Sequence, residues 1–219
     1  MNDLNCLLAG LIRLLFPVFM LIFWRKMANS RLMPAFAALA MCFPAFIIAG
    51  AIRSGFSHDN HLYFYIQQGL LYGIFEEGTK FLTMRYLLTN YDTPKDAVTY
   101  GIGHGYFEEF GGGIACLKLI GTGRAASDIF IVNLFGIIEG AAFVISLTVI
   151  IFYGIQTNRS RTMLPLAMLL HAVSNMTSGI FMFSTSIVII KSTFMTGIIC
   201  FIAYRCWNTM RSSFYDNIQ

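Results

Sequence analysis

Four stretches of this chain carry residues able to activate water. Glu76-Glu77-x-x-Lys80 sets two adjacent carboxylates beside an ammonium. Gly101-x-Gly103-His104-Gly105-x-x-Glu108 spaces an imidazole and a carboxylate four apart, on one face of a helix. His171-x-x-x-Asn175 repeats that spacing, and Glu139 stands between the two, flanked by Gly136 and Gly140. A carboxylate can take a proton from water while a histidine or asparagine stabilises the oxyanion that forms. Alternatively, His104, Glu108 and His171 hold a zinc ion that lowers the pKa of bound water. Either route suits peptide hydrolysis. The catalytic set expected is therefore Glu76, Glu77, His104, Glu108, His171 and Asn175, with Lys80 and Glu139 in support. Glu76 and Lys80 are four apart and are expected to pair. Glu77 points about 100° away from Glu76, so one acid faces the reaction while the other supports it.

These groups sit in an apolar chain. Of 219 residues, 57% are hydrophobic and 12% charged, against about 25% charged in a soluble domain. A chain this short cannot hide that much apolar surface in water, so it reads as an all-α, polytopic membrane bundle. An acid at mid-membrane costs roughly 2.5 to 3.5 kcal/mol, which makes intramembrane acids functional candidates. The net charge of +4 comes from short loops and forms no stripe, so no nucleic-acid partner is expected. The expected partners are lipid and a membrane-associated peptide or protein substrate. The five cysteines form no C-x-x-C pair and read as small packing residues.

Seven apolar spans are expected, near 4–24, 32–52, 62–88, 97–120, 129–153, 163–183 and 186–207. The boundary between the last two is short and barely polar, so an eighth span stays open. No linker or repeat divides the chain, so it reads as one domain, 1–219, with a catalytic core at about 62–183. The first span lacks a basic leader and carries Arg13, so it reads as retained. Loops after spans one, three and five, with the tail, hold Arg25, Lys26, Arg31, Lys95, Arg159, Arg161 and Arg211. That bias predicts an external N-terminus and a cytoplasmic C-terminus in the cell membrane. Arg53, Lys118 and Arg124 lie on the other side. Arg13 and Lys191 are expected to snorkel to an interface.

Counting 1.5 Å per residue puts Glu76, Glu77, His104, Glu108, Glu139 and His171 roughly 10 to 22 Å from one end of their spans. Four helices thus place acids and imidazoles in one slab, as a shared wet cavity requires. A coupled transporter also uses such groups, but predicts broken helices in matching repeats; here the polar residues crowd into spans three to six. A non-catalytic scaffold or immunity protein predicts loss of a motif residue, and all four motifs are intact.

In this order the motifs resemble the YhfC family of intramembrane metalloproteases. They also resemble the wider superfamily of PrsW proteases, CPBP and CAAX prenyl endopeptidases. The resemblance runs from Gly73 to Gly179. It implies a bundle of about eight helices, with the paired acids at Glu76 and Glu77, a central motif at His104 and Glu108, and a last one at His171 and Asn175. Lys80 stands where many relatives carry arginine. The resemblance leaves both the zinc route and a metal-free, glutamate-activated water open.

Overall fold

The computed structural model describes residues 2–123, 129–180 and 185–216. Arg124 and the end of the expected sixth span, 181–183, lie outside the described residues. Among the described residues there are seven α-helices and no strand. They are α1 (Asn2–Ala28), α2 (Met33–Arg53), α3 (His61–Leu82), α4 (Pro94–Leu117), α5 (Ile129–Gln156), α6 (Ser160–Ile180) and α7 (Thr185–Asp216). The third expected span continues past α3 as a single π turn, Thr83–Leu87.

Helix boundaries follow local chemistry. Asn60 caps α3 by accepting from the Tyr63 amide at 3.1 Å. Thr93 and Asp96 close a capping box at the start of α4, with Pro94 in the first turn, where a missing N–H costs nothing. Asn29 and Asn158 adopt left-handed φ of 50° and 56° at the ends of α1 and α5, a backbone that asparagine tolerates. The Arg31 guanidinium binds Asp96, donates to the Asn90 carbonyl at 2.9 Å and lies 4.4 Å over the Tyr91 ring. Its hydrogen bond to Asp96 raises its pKa and ties the α1–α2 loop to the first turn of α4.

Five helices are long and apolar enough to cross a membrane: α1, α2, α5, α6 and α7. The other two, α3 and α4, have 22 and 24 residues. At 1.5 Å each that is about 33 and 36 Å, against a hydrocarbon thickness of about 30 Å. Their shortfall is in hydropathy, because they carry the charges of the motifs. Those charges turn inward, while Phe19, Phe43, Ile190, Phe194 and Phe201 are exposed on the outside of the bundle.

The C-terminal half of α5 is the hub. Val144 and the run Ser146 to Ile155 are buried on every side, as a helix surrounded by others must be. Tyr100 and Ala97 of α4, Ala167 of α6 and Ile199 and Ala203 of α7 close on it. The pairs α3–α6, α1–α4, α2–α4 and α4–α5 make the other main contacts. Two glycines permit the closest of them. A Cβ on Gly73 would lie 2.6 Å from the Met168 carbonyl oxygen, and one on Gly103 would lie 2.5 Å from that of Ala35. Small residues let α6 approach α3, and α2 approach α4, nearly backbone to backbone.

Candidate functional site

Those two close approaches set the site. Gly73 lies one turn before the acid pair on α3, and Ala172, which it meets, follows His171 on α6. The contact brings His171 onto the acids. Its Nδ1 lies 2.6 Å from Glu77 Oε1, and its Nε2 lies 3.8 Å from Glu76 Oε2. From α4, His104 Nε2 lies 3.4 Å from the same Glu76 oxygen and 3.3 Å from Glu108 Oε1. One carboxylate oxygen of Glu76 therefore stands between two imidazole nitrogens supplied by different helices.

The pairing of Lys80 differs from the expectation. Lys80 Nζ donates to Glu77 Oε1 at 2.6 Å, an i,i+3 pair, and not to Glu76. Both spacings lie within reach of a lysine; the neighbouring helices decide between them. Glu76 is drawn toward His104 and His171, while Glu77 and Lys80 are wholly buried, each with 0% exposure. Glu77 Oε1 thus accepts from both Lys80 and His171, and among the described residues its other oxygen has no hydrogen-bond partner. When Nδ1–H of His171 donates to Glu77, Nε2 keeps its lone pair for the centre.

His104 is fixed from the other side. Cys42 Sγ of α2 lies 2.9 Å from His104 Nδ1, and both side chains are buried. The reading of Cys42 as a packing residue is therefore incomplete. No sequence signal joins it to a histidine 62 positions away. Phe143 of α5 presents its ring edge-on to His171, centroids 5.2 Å apart at 86°, and Tyr100 stacks on His104 at 6.4 Å.

An open cavity of about 580 Å³ runs along this centre. Its wall includes Glu76, Glu108, His171, Asn175 and Glu139. Glu77 does not reach it. His171 and Asn175 share that wall, as their spacing predicts. Glu139 does not touch the imidazoles; it accepts from Ser192 at 2.8 Å and Thr196 at 3.1 Å, both on α7.

The donor set fits a metal ion. Atoms of Glu76, His104 and Glu108 all lie within 4.8 Å of one another. Tetrahedral zinc ligands at about 2.0 to 2.1 Å stand about 3.3 Å apart, and the His104 contacts to Glu108 and Glu76 are 3.3 and 3.4 Å. Among the described residues Glu108 Oε1, a buried atom, has His104 Nε2 at 3.3 Å but no hydrogen bond of good geometry. His171 Nε2 neighbours this trio through Glu76, whereas the sequence reading puts His104, Glu108 and His171 together and leaves Glu76 aside.

Arg13 and Lys191 do not snorkel. Arg13 donates to Glu109 and to Asn133, both at 2.5 Å, inside the bundle between α1, α4 and α5. Lys191 donates to the Ser174 carbonyl at 3.0 Å and to Ser178 Oγ at 2.6 Å. Each finds acceptors on neighbouring helices, which length and hydropathy cannot foretell.

A family model described as YhfC intramembrane metalloprotease matches residues 12–127, just over half of the chain. The match takes in Glu76, Glu77, Lys80, His104 and Glu108 and ends before Glu139, His171 and Asn175. No curated protein and no solved structure matches significantly.

Proposed function

The chain belongs to the YhfC intramembrane metalloprotease family, and on that premise we propose that it hydrolyses a peptide bond of a membrane-associated substrate inside the bundle. One observation carries this reading. Glu76 Oε2 lies 3.4 and 3.8 Å from the Nε2 atoms of His104 and His171, on the wall of an open cavity of about 580 Å³.

In this reading Glu76, His104 and Glu108 would hold the metal, with zinc the fitting choice for a set of imidazole and carboxylate donors. When bound, such an ion polarises a carbonyl and makes water more acidic. The remaining work falls to the chain itself. His171 Nε2 takes one proton from water as its oxygen bonds to the carbonyl carbon. The same nitrogen then gives that proton to the leaving amine as the C–N bond breaks. Glu77 holds the imidazole in the required tautomer and balances the charge it gains. Lys80 keeps Glu77 ionised in a place where a lone carboxylate would be costly. Asn175, one turn from His171, is placed to orient the substrate carbonyl.

A metal-free variant has its own support. Glu76 is the acid exposed to the cavity, so its carboxylate can itself act as base, with the two imidazoles as donors to the oxyanion. Both variants place the catalytic core on α3 to α6. The bias of the loop charges supports an external N-terminus and a cytoplasmic C-terminus.

Reconstituted protein should cleave a peptide library in vesicles. Glu76→Gln and His171→Ala should each lower the rate at least a hundredfold. Equal turnover in all three would remove the proposal. Activity that is full after exhaustive chelation, with no metal retained, would choose the metal-free variant.

A further inference from the structure

Charge accounting inside the bundle singles out one acid. Glu77 pairs with Lys80 and Glu109 with Arg13. Glu76 and Glu108 share His104. Glu139 differs: among the described residues no basic group lies within 4.0 Å of it. It is held by two neutral hydroxyls, Ser192 at 2.8 Å and Thr196 at 3.1 Å. Lys191, which precedes Ser192, is directed at α6, where it donates to the Ser174 carbonyl and Ser178. Yet Glu139 and Ser192 line the same cavity as Glu76, Glu108 and His171.

The geometry points to Glu139 as a subsite for a lysine or arginine side chain of the substrate, close to the bond that is cut. This rests on the protease reading above. The two hydroxyls fix the carboxylate from the α7 side and supply only part of its solvation; an ionised acid in low dielectric gains most from a cation. Among the described residues the nearest cation, Lys191, feels the charge of Glu139 but gives its hydrogen bonds to Ser174 and Ser178, so no ion pair closes the carboxylate to a ligand. Tyr65, Tyr72, Phe46 and Phe143 line the same cavity. Aromatic faces suit both the apolar stem and the charged head of such a side chain. Basic residues are also what membrane segments carry at their ends, so a peptide drawn in from the edge of a span presents the matching charge.

Two measurements test this. In the first, a proteome-derived peptide library is digested in phosphatidylcholine vesicles by wild type, Glu139→Gln and Glu139→Lys, and the cut sites are read by mass spectrometry. Lysine and arginine should be enriched about tenfold at one position near the cut in wild type. The enrichment should vanish in Glu139→Gln, and acidic residues should replace it in Glu139→Lys. The same residue preference in all three proteins overturns the inference, while cleavage itself still supports the protease reading. The second measurement needs no turnover. A fluorescent apolar peptide with a single arginine is titrated against its citrulline counterpart. Wild type should bind the arginine peptide about tenfold more tightly, and Glu139→Gln should bind both alike. Equal binding to wild type overturns the inference. Arginine preference without any cleavage keeps the subsite and sinks the hydrolytic reading.

Discussion

His171 Nδ1 and Lys80 Nζ both lie 2.6 Å from one oxygen of Glu77, a carboxylate with no exposed surface. Glu77 therefore joins α3 to α6, and among the described residues these two neighbours are its hydrogen-bond partners. Removing one member strands the others. Lys80→Met should cost about 3 to 5 kcal/mol, as expected for a buried acid left without its counter-ion. The double change Lys80→Met with Glu77→Gln should cost less than the sum of the singles, because both charges leave together. Unfolding in detergent would measure this, and strictly additive losses would refute the coupling.

Cys42 reaches His104 Nδ1 at 2.9 Å and so fixes which face of the ring meets Glu76 and Glu108. Such outer partners of a ligand are worth about 10- to 100-fold in metal affinity. Cys42→Ala should weaken zinc retention by that factor, and Cys42→Ser, which keeps a hydrogen-bonding group, should recover most of it. Competition against a chromogenic chelator reads the affinity directly. Identical affinities in all three proteins would reduce Cys42 to packing.

Gly73 has no room for a side chain: a Cβ would lie 2.6 Å from the Met168 carbonyl and 3.0 Å from the Ala172 amide nitrogen. Gly73→Val should push α6 off α3, separate His171 from Glu77 and abolish cleavage, with a stability loss of at least about 1 to 3 kcal/mol. Gly111→Ala is the control, since nothing lies within 4 Å of its Cβ position. It should keep full activity and gain up to about 1 kcal/mol from helix propensity. Activity in Gly73→Val equal to wild type would break the link between this contact and the site.

Arg13 and Glu109 join α1 to α4 through a 2.5 Å ion pair that is largely shielded. Glu109→Ala leaves the guanidinium inside the bundle with Asn133 as its remaining acceptor. The expected loss is about 2.5 to 3.5 kcal/mol, the cost of an intramembrane charge. Arg13→Leu combined with Glu109→Leu should lie closer to wild type than either single change. Thermal unfolding in detergent would show it; a double variant less stable than both singles would argue against the pair.

Composition and local spacing decide a good part of this protein. Long unbroken apolar runs form membrane helices, because hydrocarbon leaves backbone polar groups partners only within a helix or a closed barrel, and a barrel strand alternates apolar with polar residues. Residues four apart on a helix share a face whatever lies around them, so His104 with Glu108 and His171 with Asn175 were legible without a structure. The part of the family resemblance carried by Glu76, Glu77, Lys80, His104 and Glu108 lies within the stretch that the family model matches.

Only the tertiary structure decided how those faces are turned toward one another. Lys80 can reach either acid along its own helix; the positions of α4 and α6 gave it Glu77 and left Glu76 to the imidazoles. Cys42 lies one helix away from the motif it supports, and Glu139 turned to two hydroxyls on α7. Arg13 and Lys191 found partners across the bundle. A helical period fixes angles around one axis, whereas these pairings depend on the distance and rotation between axes, which close contacts such as Gly73 against Met168 determine.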